Sequence, residues 1–145
     1  MASIPKVLYL CYRERRLVPQ RVIDAWAFLN PDFEIRLYGN AECESFLAEN
    51  FSEEYVHFFR WIPGNAGPIK ADFWRLCILL LKGGFYADVD IVPLEAISSF
   101  VHEDATICTC SSYRGCKGSV NPHFLACAPG QEPIRKTIAA LLGKG

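Results

Sequence analysis

Residues 6–11, Lys-Val-Leu-Tyr-Leu-Cys, form a short and nearly unbroken apolar run, the pattern of a strand buried on both faces. A polar stretch follows to Val18. Pro19 then suits the first turn of a helix, and Val22, Ile23, Trp26 and Leu29 recur at helical spacing to give it one apolar stripe. Asn30-Pro31 ends that helix, because proline disfavours helical geometry in the residue before it. Phe33, Ile35 and Leu37 alternate with Glu34 and Arg36, which predicts a half-buried strand. Strand, helix and strand in the first 38 residues predict a right-handed parallel unit.

Residues 41–60 read as one or two helices, with Ser52 placed to cap the turn that opens on Glu53 and Glu54. A Pro/Gly/Asn loop spans 61–67. A strong helix is predicted over 68–82, closed by Gly83-Gly84. Residues 85–92, Phe-Tyr-Ala-Asp-Val-Asp-Ile-Val, read as a strand with two acids near its carboxyl end, and Pro93 stops its regular continuation. Further strands are expected over 105–109 and 123–128, and a closing helix over 132–142. This is the order of an α/β domain with a mostly parallel central sheet flanked by helices. A chain of 145 residues without repeats or low-complexity segments fits one domain, residues 1–145.

Composition narrows the functional classes. With 51% hydrophobic and 13% aromatic residues the chain has the material for a packed core. A net charge of −1 argues against a nucleic-acid partner, which needs clustered Lys and Arg to displace counterions. The one basic cluster, Arg13 to Arg16, is interrupted by Glu14 and reads as a solvated loop. The first ten residues carry Pro5 and Lys6 and do not resemble a signal peptide. The longest apolar run, 76–81, is far below the roughly 18 residues of a membrane span. The expectation is a soluble, cytoplasmic chain, with an anchor or a longer chain beyond its ends left open. Its oligomeric state leaves no mark in the sequence. Seven cysteines are an odd number at irregular spacing, unlike a disulfide framework. Cys11, Cys43 and Cys77 lie in apolar segments as small hydrophobes, so a reducing compartment is expected.

The chemistry concentrates in Asp72-x-x-Arg75, Gly83-Gly84 and Tyr86-x-Asp88-x-Asp90. Asp72 and Arg75, three apart on a helix, share a face. Asp88 and Asp90, two apart on the predicted strand, share a face there, while Ala87 and Val89 can pack on the other. Two carboxylates held together repel unless a cation lies between them. Hard oxygen ligands suit Mn²⁺ or Mg²⁺, with substrate phosphates completing the shell. The site is expected at the carboxyl end of a sheet strand, where α/β proteins bind ligands. A bare Asp-x-Asp recurs by chance, and Arg75 pairing with one acid would serve structure alone. The context of the two acids, together with Tyr86, favours a site.

Residues 66–94, with Ile69-Lys-Ala-Asp72-Phe-Trp-Arg75 and Gly83-Gly-Phe-Tyr86-Ala-Asp88-Val-Asp90, resemble the sugar-binding region of glycosyltransferase family 32, and the likeness reaches over roughly residues 4–95. The resemblance implies a GT-A fold with a sugar-nucleotide-binding core over about 4–95 and an acceptor-side segment over about 96–145. It implies a retaining, metal-dependent transferase of the kind used in polysaccharide biosynthesis. Such an enzyme moves a sugar from a nucleotide-diphospho-sugar to a glycan, lipid or protein acceptor. Asp90 would ligate the divalent metal directly, and Asp88 would contact the ribose and sugar and reach the metal through water. Asp72 and Arg75 would bind the sugar hydroxyls, Tyr86 would line the pocket, and Tyr12 would stack on the nucleobase. Tyr12 stands where the family usually has Trp, and Tyr9 where it often has His. The implied mechanism is front-side attack, the leaving phosphate taking the acceptor's proton.

Other readings start from the same residues. A catalytically inactive nucleotide-sugar-binding module of the same fold is the main alternative. Asp88-Val-Asp90 also fits a phosphatase with an aspartyl nucleophile, but the acids beyond Asp90, Glu95, Glu103, Asp104 and Glu132, form no second pair at a strand end. Cys108, Cys110, Cys116, Cys127 and His123 lack the paired spacing of a zinc site. Cys108 and Cys110 are expected on one side of a strand, and Cys116 as the reactive thiol of a loop. His57, in an aromatic-rich helix, reads as a packed histidine and His102 as a surface one. Trp61 and Trp74 read as core, with Trp61 also placed to serve as a sugar platform. His123 is a candidate to support the metal site from behind.

Overall fold

The computed structural model describes residues 3–63, 66–111 and 120–144. Five strands, β1 (Val7–Cys11), β2 (Glu34–Tyr38), β3 (Gly84–Ala87), β4 (Ile107–Ser111) and β5 (Val120–Cys127), form one sheet in the order β2-β1-β3-β5-β4. β1 pairs in parallel with β2 and β3, and β5 runs antiparallel to β3 and β4. Four strands therefore share a direction and β5 is reversed, the mostly parallel sheet that the sequence predicts. Among the described residues five α-helices flank it: α1 (Gln20–Leu29), α2 (Asn40–Asn50), α3 (Glu53–Trp61), α4 (Gly67–Lys82) and α5 (Glu132–Leu141).

β1, β3 and the Phe124–Cys127 half of β5 are apolar because both of their faces are covered. Leu8 and Leu10 of β1, Phe85 and Ala87 of β3, and Phe124 and Ala126 of β5 pack on one side with Trp26 of α1. The alternate residues, Tyr9, Cys11, Tyr86, Leu125 and Cys127, pack on the other side against α2 to α5, around Trp74, Cys77 and Ile78 of α4. Period-two alternation in a strand produces this division, and burial of each large apolar side chain contributes roughly 1.5–3 kcal/mol. β2, at the sheet edge, is only partly buried, as its alternating sequence predicts.

Several details differ from expectation. Residues 41–60 resolve into two helices, and Ser52 occupies the N-cap position of α3 without a capping bond from its hydroxyl. α3 turns Val56 and Phe59 inward, so His57 is exposed rather than packed, and Trp61 is 77% exposed rather than core. Trp74 is fully buried, as expected. β5 begins three residues before the predicted start and includes Pro122; its register with β4 shifts between Thr109 and Cys110, where a proline without an N–H is tolerated. Cys108 and Cys110 both lean on the α1-side core despite that shift. Cys116 lies outside the described residues.

Gly83 and Gly84 make the α4–β3 join possible. Both have positive φ, 68° and 126°. A Cβ on Gly83 would lie 2.7 Å from Pro129 Cδ, and one on Gly84 would lie 3.0 Å from both the Tyr9 ring and the Val7 carbonyl. The missing side chains let β3 settle directly against β1 as soon as α4 ends. Among the described residues, no helix is long and apolar enough to cross a membrane.

Candidate functional site

The tight α4–β3 join folds the strand back along its helix, so that Asp72 and Arg75 of α4 meet Tyr86 and Asp88 at the carboxyl end of β3. Arg75 is the centre of the cluster and only 3% exposed. Its Nε donates to the Ala71 carbonyl at 3.2 Å. Its Nη2 lies 2.8 Å from Asp72 Oδ1 and 3.4 Å from Asp88 Oδ1. The guanidinium carbon sits 4.1 Å from the centre of the Tyr86 ring, and the Tyr86 hydroxyl donates to Asp88 Oδ1 at 2.9 Å. A buried cation is costly unless paired and hydrogen-bonded; here two carboxylates, a carbonyl and a π-face compensate it. Burial pushes the Tyr86 hydroxyl well above the ordinary phenol range, and Arg75 opposes that shift, so it stays a proton donor. Burial also raises Asp72, against Arg75, with the charge of Asp88 adding to the rise.

Beyond Ala87 the strand prediction fails. β3 stops there, and the Ile91 N–H bonds the Asp88 carbonyl at 3.1 Å, so residues 88–91 form a turn. Asp88 and Asp90 thus do not share a strand face. Ladder pairing runs out because the partner strand β5 makes its last paired contact at Phe124, and one further bond, Asp88 N–H to the His123 carbonyl at 2.9 Å, closes the edge. Asp88 is half-buried and points back to Arg75 and Tyr86. Val89 packs on the α1-side core. Asp90 is exposed, and among the described residues nothing hydrogen-bonds its carboxylate.

Tyr12 lies one residue beyond the carboxyl end of β1, the parallel neighbour of β3, with its N–H on the Tyr38 carbonyl at 3.0 Å. It is 38% exposed, and the Arg13 guanidinium stacks 5.6 Å from its ring. Tyr12 and the 88–91 turn therefore open from the same edge of the sheet. Tyr9, three residues earlier in β1, is core and pairs with Tyr86 across the β1–β3 ladder.

Among the described residues no three His, Cys, Asp or Glu side chains converge as a ready-made metal cage, and the cysteines form no zinc centre there. That is compatible with Mg²⁺ or Mn²⁺, which take one or two carboxylates and complete their shells with water and substrate phosphates. Two carboxylates share the Arg75 guanidinium and Asp90 adds a third negative charge at the same edge, so a divalent cation fits its charge, and Asp90 presents an uncommitted ligand.

Other parts of the edge were not legible in the sequence. The His123 carbonyl holds the start of the 88–91 turn through the Asp88 N–H. Asn30, 2% exposed, donates to the Trp26 carbonyl at 2.9 Å and accepts the Ile97 N–H at 2.8 Å, tying the segment after the turn to the end of α1. Between them lies an open cleft of about 370 Å³ lined by Ile91, Val92, Leu94, Phe100, His123 and Phe124, among others. Asn30 follows a helix in countless sequences, and nothing in its neighbourhood names a partner 67 positions away.

A family model described as "Glycosyltransferase sugar-binding region containing DXD motif" matches residues 19–107. The chain is 25% identical over 99 residues to an initiation-specific alpha-1,6-mannosyltransferase of Candida albicans, covering 65% of this chain and 25% of that protein. It is 33% identical over 73 residues to an uncharacterized glycosyltransferase of Acanthamoeba polyphaga mimivirus, covering 50% of this chain and 28% of the other. The chain thus spans about a quarter of the length of these curated relatives. Among solved structures, PaToxG Glycosyltransferase superposes with a TM-score of 0.72 over 98% of this chain and 61% of its own, at 16% identity. That superposition establishes the shared fold, as the GT-A expectation requires.

Proposed function

The chain belongs to the family of glycosyltransferase sugar-binding regions containing the DXD motif, and from that premise we propose that it is a retaining glycosyltransferase using a nucleotide-diphospho-sugar. One observation supports this above the rest: Asp72, Arg75, Tyr86 and Asp88 interlock beside an uncommitted Asp90 at one sheet edge. Asp90 would ligate the cation, with Asp88 behind it. A divalent ion bound there supplies Lewis-acid stabilisation of the leaving diphosphate. The half-exposed Asp72 carboxylate accepts sugar hydroxyls. Arg75, nearly fully buried, contributes chiefly by fixing the directions of Asp72 and Asp88, and Tyr86 holds Asp88 in that setting. These fixed carboxylates also favour positive charge developing at the anomeric carbon. Tyr12 offers its exposed ring to the base. No side chain is assigned as general base, since retention by front-side attack lets the leaving phosphate take the acceptor's proton. The acceptor, a glycan, lipid or protein, approaches over the segment after residue 95 and the β4–β5 side of the edge. The cleft running on from the 88–91 turn supports that side.

The test is a panel of nucleotide-sugars with Mn²⁺ or Mg²⁺. The expected result is metal-dependent release of free nucleotide, abolished by chelation and by Asp90→Asn while the fold is kept. Thermal stabilisation by a donor without any release would identify a binding module; at a hundredfold excess over Kd it amounts to about 2.7 kcal/mol. Undiminished turnover in Asp90→Asn refutes the metal assignment.

A further inference from the structure

Cys11, the last residue of β1, and Cys43 of α2 are free thiols whose sulfurs face each other at 3.6 Å across 32 positions of sequence. Both are buried, at 7% and 0% exposure. Each comes from a different element, so the contact is a product of the fold. Spacing in the sequence does not reveal it, and the odd cysteine count does not bear on it. We propose that Cys11 and Cys43 are a modification site, a dithiol that closes to an internal disulfide in an oxidising thiol buffer and ties the donor-side end of β1 to α2.

The sulfurs need to close from 3.6 Å to roughly 2.05 Å, within the reach of side-chain rotation when the two elements already touch. The oxidant is a small disulfide such as oxidised glutathione. The Cys11 thiolate, the less buried of the two, attacks one glutathione sulfur and expels a glutathione thiolate, leaving a mixed disulfide. The Cys43 thiolate then attacks the Cys11 sulfur and expels the second glutathione thiolate. Both protein thiols are oxidised, one oxidised glutathione is reduced, and the two protein protons pass to the two thiolates released. Burial pushes the Cys43 thiol far above the usual range, so exchange proceeds through opening of the β1–α2 contact and is slow in the closed protein. Cys11 is followed directly by Tyr12, so the cross-link restrains the backbone that carries the proposed base-stacking ring.

The experiment equilibrates the whole chain in mixed oxidised and reduced glutathione, quenches with acid, alkylates under denaturing conditions and maps the peptides. The expected product joins the Cys11 and Cys43 peptides, with the other cysteines alkylated, and dithiothreitol then lowers Tm by at least about 5 °C, as expected for opening a loop of this size. Cys43→Ser removes both effects. Recovery of Cys11 and Cys43 fully alkylated, or linked to any other cysteine, overturns the proposal. The wild-type map decides this even if the variant folds poorly. None of it requires donor or turnover, so it stands apart from the functional reading above.

Discussion

Two carboxylates separated by one residue live in different worlds in this protein. Asp88 belongs to the α4–β3 corner, where Tyr86 and a buried arginine fix it and its own N–H completes the sheet edge. Asp90 belongs to the turn that follows, exposed, with no hydrogen bond or ion pair to its carboxylate among the described residues. The corner satisfies itself without any ligand. The turn does not. Residues of the first kind reveal themselves when the protein is unfolded, and residues of the second kind only when something binds. An Asp-x-Asp pair that looks symmetrical in sequence therefore splits into one acid held within the fold and one left open at its edge.

If that division is real, substitutions should separate along it, measured as urea stability beside donor-induced thermal shift. Arg75→Ala should cost most, about 2–4 kcal/mol, because it empties a fully buried site and leaves two carboxylates without their cation. Arg75→Met, which refills the volume, should recover part of that stability but not donor binding. An unchanged midpoint in Arg75→Ala would show the corner to be loosely held. Gly84→Ala should come next, at about 1–3 kcal/mol, since its φ of 126° and the 3.0 Å approach to Tyr9 leave no room for a methyl group. Tyr86→Phe loses one hydrogen bond to a half-exposed carboxylate, about 1 kcal/mol, with no cavity. Asp90→Asn should fall within about 0.5 kcal/mol of wild type and yet lose metal-dependent donor binding. A large stability loss in that variant would place Asp90 in the corner after all.

The same division explains how much the sequence discloses. Helix 68–82 with its glycine stop, and the two-sided burial of 6–11, are written in local periodicity, and the structure has α4 at Gly67–Lys82 and β1 at Val7–Cys11. Asp72, Arg75, Tyr86 and Asp88 are legible as a group because helix and strand adjoin in sequence, so spacing alone nearly dictates that they meet. What fails is whatever depends on a remote strand. The end of β3 is set against β5, whose pairing with β3 stops at Phe124, and no residue near Asp88 announces it. The Asn30–Ile97 tie and the Cys11–Cys43 contact are invisible for the same reason. His57 and Trp61 are not placed by the local pattern because α3 is aromatic on more than one face, and only packing against α4 decides which aromatic positions turn inward.

The smallest effect tests where Asp72 falls between corner and turn. It touches Arg75 at 2.8 Å, yet its side chain is 48% exposed. Its pKa is raised above the ordinary 3.8 mainly by burial, with Arg75 pulling the other way. A carboxyl that is harder to ionise in the folded chain binds its proton more tightly there than in the unfolded chain. Its contribution to stability is therefore fully present below pH 3.8 and is lost as pH rises through the folded value. Ionised Asp72 should thus be a slight burden at neutral pH, damped by solvent because the group is so open. Urea titrations of wild type and Asp72→Asn from pH 3.5 to about 7 should show the stability difference moving in the variant's favour as pH rises, while donor binding declines in the variant at every pH. If wild type instead gains relative to the variant, the Arg75 ion pair outweighs burial, and Asp72 joins the corner as a structural acid. The expected sign would leave it as a carboxylate kept at some cost to the fold, which is what a hydroxyl-binding group at the rim should be.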